Sequence, residues 1–317
     1  MAVAMVATAM GGGCSSGGGG GAPSTRTTAT SPPASGTSHS TPRPHQRRPP
    51  SHPYVPPRLA VSSGTPWAGE GVWKRRDRWA GHAPTVMTTT YQQPSGGVAY
   101  LAWISHDATR LALYAGTSEP GSGNPGVVPT RLRGRLLATF NGGFRQSAAP
   151  GGFIAQGVES VPLQIGLGTV STTWTHHVNI SRWAGGVDLR TLEVARQDLD
   201  LLVSGAHPAP LASDTGSWGA TLGGGAAVWR TALGIDAHHN LIYIAADDTP
   251  LGLAQTLVHA GAVRALELDI NPEWSTFNVY GGRGGAAPTM VVPNPQQSAD
   301  RYLVPDSRDF FAVYAWP

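Results

Sequence analysis

Glu267 and Asp269 stand two residues apart in a run that is otherwise apolar, Ala265-Leu266-Glu267-Leu268-Asp269-Ile270. In an extended strand both side chains point to the same side, ~6.5 to 7 Å apart. Two carboxylates on a buried face are costly unless each is paired, hydrogen-bonded or metal-bound, which makes them candidates for acid–base chemistry. An ion pair with Arg230 or Arg264 is the ordinary structural alternative. Glu273 follows four residues after Asp269 and leads into Trp274, Ser275 and Thr276.

Two further segments place polar groups on apolar strands. Ala138-Thr139-Phe140-Asn141-Gly142-Gly143-Phe144 reads as a strand ending in Asn-Gly-Gly. There Asn141 can present its amide to a cleft while Gly142 and Gly143 let a ligand approach, although Asn-Gly by itself signals an ordinary turn. Trp229-Arg230-Thr231-Ala232-Leu233-Gly234-Ile235-Asp236 is an apolar strand with one arginine near its start, either an edge-strand solvent residue or an anion ligand. Asp247, Asp248 and Asp269 are the carboxylates a metal-dependent hydrolase would draw on, but no motif such as His-x-x-x-His accompanies them. His176-His177 and His238-His239 are adjacent pairs whose side chains diverge, so the sequence predicts no metal and no cofactor.

The elements that must position these groups are mostly strands. Gly97 to Ser105, Arg110 to Ala115, Leu136 to Phe140, Leu241 to Ala246 and Leu266 to Ile270 are short β-branched or alternating runs bounded by Gly, Pro, Asn or Asp. Leu251 to Ala260 predicts a helix, with Leu253, Leu257 and Val258 on one face, a Thr-Pro start and Gly261 as its stop. Strand, helix and strand in succession there make a local β-α-β unit. The fold class expected is α+β or mixed α/β, a single domain over residues 58–317 with a large mixed sheet and few helices.

Before that domain the composition changes. Ala2 to Met10 is a short apolar stretch followed by three glycines and Cys14, which resembles a bacterial lipoprotein signal whose cysteine is lipidated. The stretch is too short for a transmembrane helix. Residues 15–57 are Gly, Ser, Thr, Pro, Arg and His with almost no large apolar side chain, so they form a linker that cannot offset its ordering entropy by burial. The expected organisation is a signal-like segment over residues 1–14, a linker over 15–57 and an extracytoplasmic bacterial domain, secreted or tethered to the membrane through Cys14. Cys14 is the one cysteine of the 317 residues, which rules out an intrachain disulfide. The net charge is only +3, and Lys74, Arg75, Arg76 and Arg78 beside Trp73 and Trp79 form one short run, read as a solvated segment. Nucleic-acid binders show a denser basic stripe, so no nucleic-acid partner is expected.

Taken in order, these pieces resemble the phosphodiester glycosidase family, in which N-acetylglucosamine is removed from a phosphodiester. The resemblance runs from about Gly69 to Phe311. It comprises Gly69-Glu70-Gly71-Val72-Trp73, Asn141-Gly142-Gly143-Phe144, Gly151-Gly152 to Gly157, Arg230-Thr231-Ala232-Leu233-Gly234-Ile235, the β-α-β unit to Leu268-Asp269, and Ser307-Arg308-Asp309-Phe310-Phe311. It implies a hydrolase acting on a glycosyl phosphodiester or cell-wall glycan. In that reading Arg230 and Thr231 bind the phosphodiester, Asn141 with Gly142 and Gly143 holds the sugar or a phosphate oxygen, and Asp269 acts in hydrolysis with Glu267 or Glu273 as its partner. Ser275 and Thr276 donate to the leaving phosphate.

One departure stands out. Where the family reads Asp-Gly-Gly-Gly-Ser, this chain has Asp269-Ile270-Asn271-Pro272-Glu273-Trp274-Ser275-Thr276. The glycine-rich turn would bring backbone N–H groups to a phosphate, whereas Ile270 and Pro272 add bulk and Pro272 removes a donor. The rival reading is therefore a non-catalytic module that retains a wall glycan in the same cleft, with Trp274 stacking on a sugar ring or else lying in the core.

Overall fold

The structure, a computed structural model, describes residues 54–61, 65–76, 83–120, 123–149, 151–219, 224–281 and 288–316. The Cys14 segment, the linker up to residue 53, Arg78 and Trp79 lie outside the described residues. In chain order the strands are β1 (Lys74–Arg75), β2 (Val86–Gln92), β3 (Val98–Ile104), β4 (Thr109–Tyr114), β5 (Leu136–Asn141), β6 (Phe153–Ala155), β7 (Val158–Val161), β8 (Gly168–Thr173) and β9 (Val178–Arg182). There follow β10 (Leu192–Gln197), β11 (Leu201–Ser204), β12 (His207–Pro208), β13 (Val228–Asp236), β14 (Leu241–Asp248), helix α1 (Pro250–His259), β15 (Ala262–Glu267), β16 (Phe277–Tyr280), β17 (Pro288–Met290) and β18 (Phe310–Ala315). The class is α+β, with the strands divided among three sheets.

The large sheet has eight strands in the order β1-β2-β3-β14-β13-β15-β11-β12, and two five-stranded sheets run β7-β6-β10-β8-β9 and β17-β16-β5-β18-β4. The β-α-β unit expected from the sequence is present in split form. Helix α1 joins β14 to β15, which both pair antiparallel with β13 between them and so run parallel to each other. The helix begins where the sequence places it, with the Thr249 hydroxyl accepting from Gly252 N at 3.1 Å, Pro250 at its start and Gly261 at φ +99° after its end.

Both faces of the large sheet are buried, so its central strands are apolar at every position rather than at alternate ones. In β3 and β14, Ala102, Ile104, Tyr243 and Ala245 face a core shared with the two smaller sheets. Leu101, Trp103, Ile242 and Ile244 face the layer closed by Leu253 and Leu257 of α1. The shared core centres on Phe140, whose ring meets Tyr243 at 5.2 Å, Phe311 at 5.1 Å and Phe277 at 5.7 Å, bringing three strands of one sheet against a fourth from another. Arg75, Lys74 and Arg76 are exposed at the β1 edge, where charge discourages further strand pairing. Order begins earlier than composition suggests: Pro56 is buried, and the Tyr54 ring lies 6.2 Å from Trp103. Among the described residues no helix is long and apolar enough to cross a membrane.

The connection that matters for chemistry is the one leaving the large sheet. After β15 ends at Glu267, Leu268 N still donates to Thr231 O of β13, but Asp269 N donates to Gly142 O beyond β5. The chain then enters β16, which pairs with β5. Residues 268–276 are thus the crossover between two sheets. The packing at Phe140 holds these sheets together, so Phe140→Ala should lower the unfolding free energy by about 3–5 kcal/mol, measured by chemical denaturation.

Candidate functional site

The ends of β5, β10 and β15 and the start of β18 meet at one place, and each brings charge into it. Arg196 of β10 is almost wholly enclosed and donates Nε to Asp309 Oδ2 at 2.9 Å, Nη2 to Phe144 O at 2.6 Å, and Nη1 to Gln197 O, with Asp198 Oδ1 3.3 Å from Nη1. Arg230 of β13 donates Nη1 to Glu267 Oε1 at 2.8 Å and to Trp218 O at 2.9 Å. Arg308 donates Nη2 to Asp269 Oδ2 at 2.9 Å and to Gly143 O at 2.8 Å. Four buried carboxyl groups, Asp198, Glu267, Asp269 and Asp309, therefore face three buried guanidinium groups.

The Asn-Gly-Gly segment is built around this cluster. A Cβ on Gly142 would stand 2.1 Å from Asp309 Oδ2, and one on Gly143 would stand 2.1 Å from Asp198 Oδ2. The close approach that the glycines permit is thus made by the chain's own carboxylates. Gly143 N and Phe144 N point at them, at 3.3 Å from Asp309 Oδ2 and 3.0 Å from Asp198 Oδ1. Asn141 is occupied internally: its amide donates to Thr231 Oγ1 at 2.8 Å, and its oxygen accepts from Tyr243 OH at 2.9 Å. It ties β5 to β13 and β14 and presents no free group.

Asp269 is the carboxylate that reaches a cavity. A pocket of about 210 Å³ is lined by Asp269, Arg308, Trp274, Arg145, Phe144 and Asn271, among others. Asp269 Oδ1 accepts from Asn271 N at 2.9 Å, so both its oxygens are held in place. The Trp274 ring contacts two guanidinium groups, 4.9 Å from Arg301 and 5.7 Å from Arg308, and its buried indole N–H has no hydrogen-bond partner among the described residues. Arg145 is an exposed cation at the rim.

The remaining sequence candidates fall elsewhere. Glu267 and Arg230 expose no surface and do not line this cavity; they form the ion pair expected as the alternative for the carboxylates, and Arg230 is not an edge-strand solvent residue. Glu273 is exposed on the outer side of the crossover, its backbone N–H donating to Asn271 Oδ1. Ser275 Oγ donates to Asn271 O, Thr276 Oγ1 lies 3.0 Å from Tyr302 OH, and Thr231 Oγ1 donates to Asp269 O. These hydroxyls fix the crossover. Arg308, Arg196, Asp198 and Asp309, which the sequence reading gave no role, complete the charged seam. Arg196 and Asp198, in the strand-like segment Leu192-Glu193-Val194-Ala195-Arg196-Gln197-Asp198, carried no signal in the sequence that set them apart from an ordinary polar strand face.

Burial dominates the electrostatics. It raises Asp269 above the ordinary carboxylate range, and Arg308 and the Asn271 amide oppose that rise. It raises Glu267 against the pull of Arg230, and pushes Asp198 up to about 7 against that of Arg196. Asp198 Oδ2 and Glu267 Oε2 are both buried without a hydrogen-bond partner among the described residues, which accords with the raised proton affinity of these two groups.

No family model and no curated protein matches this chain. Among solved structures it is similar to the zebrafish N-acetylglucosamine-1-phosphodiester alpha-N-acetylglucosaminidase catalytic domain auto-inhibited by its pro-peptide, at 12% identity and a TM-score of 0.48 over 77% of this chain and 88% of that one. It is also similar to a hypothetical protein from Synechocystis, at 13% identity and a TM-score of 0.44 over 73% and 62% of the respective chains. A protein of Burkholderia pseudomallei provisionally described as exported matches at 14% identity and a TM-score of 0.38, over 72% and 76%.

Two consequences of the seam are measurable. Gly143→Ala should destabilise the fold strongly, by about 3 kcal/mol or more, because the methyl and the Asp198 carboxylate compete for one place. An Asp raised in the folded state binds its proton more tightly there than in the unfolded chain, so its contribution to stability falls as pH rises between about 4 and about 7. Asp198→Asn should flatten that part of the profile of melting temperature against pH.

Proposed function

We propose that this chain is an exported hydrolase that cleaves the bond between a sugar's anomeric carbon and a phosphodiester oxygen in cell-envelope glycans or related glycosyl phosphodiesters. The observation that supports it best is Asp269 in the cavity, locked by Arg308 and the Asn271 amide beside Trp274 and Arg145. Glycoside hydrolysis ordinarily needs one group to activate water and a second to protonate the leaving oxygen. Here one carboxylate lines the cavity, and cations stand beside it. That set suits a leaving group that departs as a stable anion, which a phosphate does without being protonated.

In this reading Asp269 takes a proton from water as the water oxygen bonds to the anomeric carbon. The bond from that carbon to the phosphate oxygen breaks, and its electron pair leaves with the phosphate. Arg308 and Arg145 stabilise the departing charge, and the Trp274 face packs against the sugar ring. The raised affinity of Asp269 for protons makes it a stronger base than an exposed carboxylate. Arg230, behind Glu267, acts on the fold rather than on the phosphate. The Cys14 segment supports export and a membrane tether on its sequence.

Turnover of a panel of sugar-1-phosphodiesters and teichoic-type polymers tests the reading. Asp269→Asn should lower kcat/KM by roughly 10²- to 10⁴-fold, and Arg145→Ala, which removes stabilisation of the departing charge, should lower kcat more than it raises KM. Activity should require ionised Asp269 and so rise with pH through a limb above the ordinary carboxylate range. Arg308→Met should move that limb to higher pH, since the guanidinium holds the carboxyl down. Binding of the same polymers with no turnover by the wild-type chain would instead support the retained-cleft module, which Trp274 and its flanking guanidinium groups equally suit.

A further inference from the structure

Three turns, two of them hairpins and one a connection between sheets, converge at a place distinct from the Asp269 cavity, and each brings a histidine. His106 lies between β3 and β4, His177 between β8 and β9, and His239 between β13 and β14. Their ring centroids are 5.2 Å apart for His177 and His239, 5.9 Å for His106 and His177, and 6.0 Å for His106 and His239. None of these pairs is stacked face to face; the interplanar angles are 53°, 87° and 47°. His106 Nδ1 is buried without a hydrogen-bond partner. None of the three lines the Asp269 cavity.

The neighbouring histidines turn away. His238 packs on Tyr54 at 4.2 Å, and His176 packs on Trp316 at 4.2 Å with Nδ1 3.6 Å from Glu193 Oε2. The divergence of each adjacent pair is thus what sends one member toward His106. The β13–β14 turn is set for this. Asp236 Oδ1 accepts from His238 N at 2.8 Å and Asn240 N at 2.9 Å, and Asn240 Oδ1 accepts from His106 N at 3.0 Å, which ties that turn to the β3–β4 turn. His239 takes a left-handed backbone, φ +67°, which is uncommon for a residue with a Cβ.

We propose that His106, His177 and His239 form a binding site for a divalent cation of the zinc, nickel or copper class, which bind neutral imidazole. Three imidazoles on one tetrahedral ion, with metal–nitrogen bonds of ≈ 2.0–2.1 Å, hold their ring centroids roughly 5 Å apart. The observed spacings exceed this by about an ångström or less. As the side chains stand, no three donor groups among the described residues are gathered for an ion. Closing the triad takes rotation of the rings, and His177 and His239 are exposed at turn tips where rotamers change freely. Water completes the coordination. Because the three turns belong to strands of all three sheets, the ion would clip them together at this end.

The test uses the full-length chain without a polyhistidine tag, stripped with chelator and titrated with Zn²⁺ by calorimetry and with Co²⁺ by visible absorption. The arm's own histidines, such as His39, His45 and His52, are present in every variant and set the background. The expected result is one site whose affinity falls at least tenfold in each of His106→Gln, His177→Gln and His239→Asn, with the intense Co²⁺ bands of low coordination lost. His238→Gln and His176→Gln should leave it unchanged. Asn is chosen at position 239 because it tolerates positive φ, and the exposed His177→Gln isolates the effect if a buried change disturbs folding. Zn²⁺ should raise the melting temperature of the wild type and not that of the triple variant. A Zn²⁺ isotherm and thermal shift that are the same in wild type and in His177→Gln would overturn the site.

Discussion

The Arg196 guanidinium has almost no exposed surface, yet it carries a full charge between two carboxylates, and the seam around it depends on that arrangement. It reaches from β10 to Asp309 at the start of β18, so one side chain spans two sheets. Its other donors end on the carbonyls of Gln197 and Phe144, which fixes the chain after β5 and after β10. Breaking a buried pair by removing one partner is costly because the other charge stays behind without compensation. Here Arg196 has two partners, so its loss would leave Asp198 and Asp309 facing each other across Gly142 and Gly143.

The glycines follow from the charges rather than from a ligand. Two carboxylates can approach the backbone closely enough to accept from Gly143 and Phe144 only where no Cβ intervenes. That approach brings the end of β5 against the crossover, where Gly142 O receives Asp269 N. Asp269 therefore leaves the large sheet with its direction already set, and Arg308, next in sequence to Asp309, is delivered to it by the start of β18. The carboxylate that lines the cavity is positioned by the same side chains that close the fold.

Much of this framework is legible in the sequence because it is local. Helix α1 follows from the Thr-Pro start, the spacing of Leu253 and Leu257, and Gly261; β3, β4, β5 and β14 follow from apolar runs between turn residues. The pairing of Arg230 with Glu267 could be named as an alternative because both sit in recognisable strands that prove to be neighbours. The division into three sheets is not local, since strands buried on both faces lose the alternation that would say which face meets which sheet. Arg196, Asp198, Arg308 and Asp309 converge over more than a hundred residues of separation, and nothing in either segment alone says that the two meet. Likewise His106 lies far in sequence from both histidine pairs, so the divergence of each pair read as dispersal when it is half of a convergence.

The loop after Asp269 sets how negative charge can be met in the cavity. A glycine-rich turn would offer backbone N–H groups to an anion. Here Asn271 N is turned onto Asp269 Oδ1 and Glu273 N onto Asn271 Oδ1, and Pro272 has no N–H to offer. Ile270 fills the space against Phe144 and Ala149, closing one wall with apolar surface. Positive charge at the cavity consequently comes from the Arg308 and Arg145 side chains, of which Arg308 is committed to Asp269 and Arg145 is free at the rim. Guanidinium groups on long side chains reach farther and tolerate more varied positions of an anion than a fixed backbone turn does. Positive charge at this cavity is therefore carried on long side chains rather than on backbone N–H groups, and the Trp274 ring, in contact with the Arg301 and Arg308 guanidinium groups, forms part of its wall.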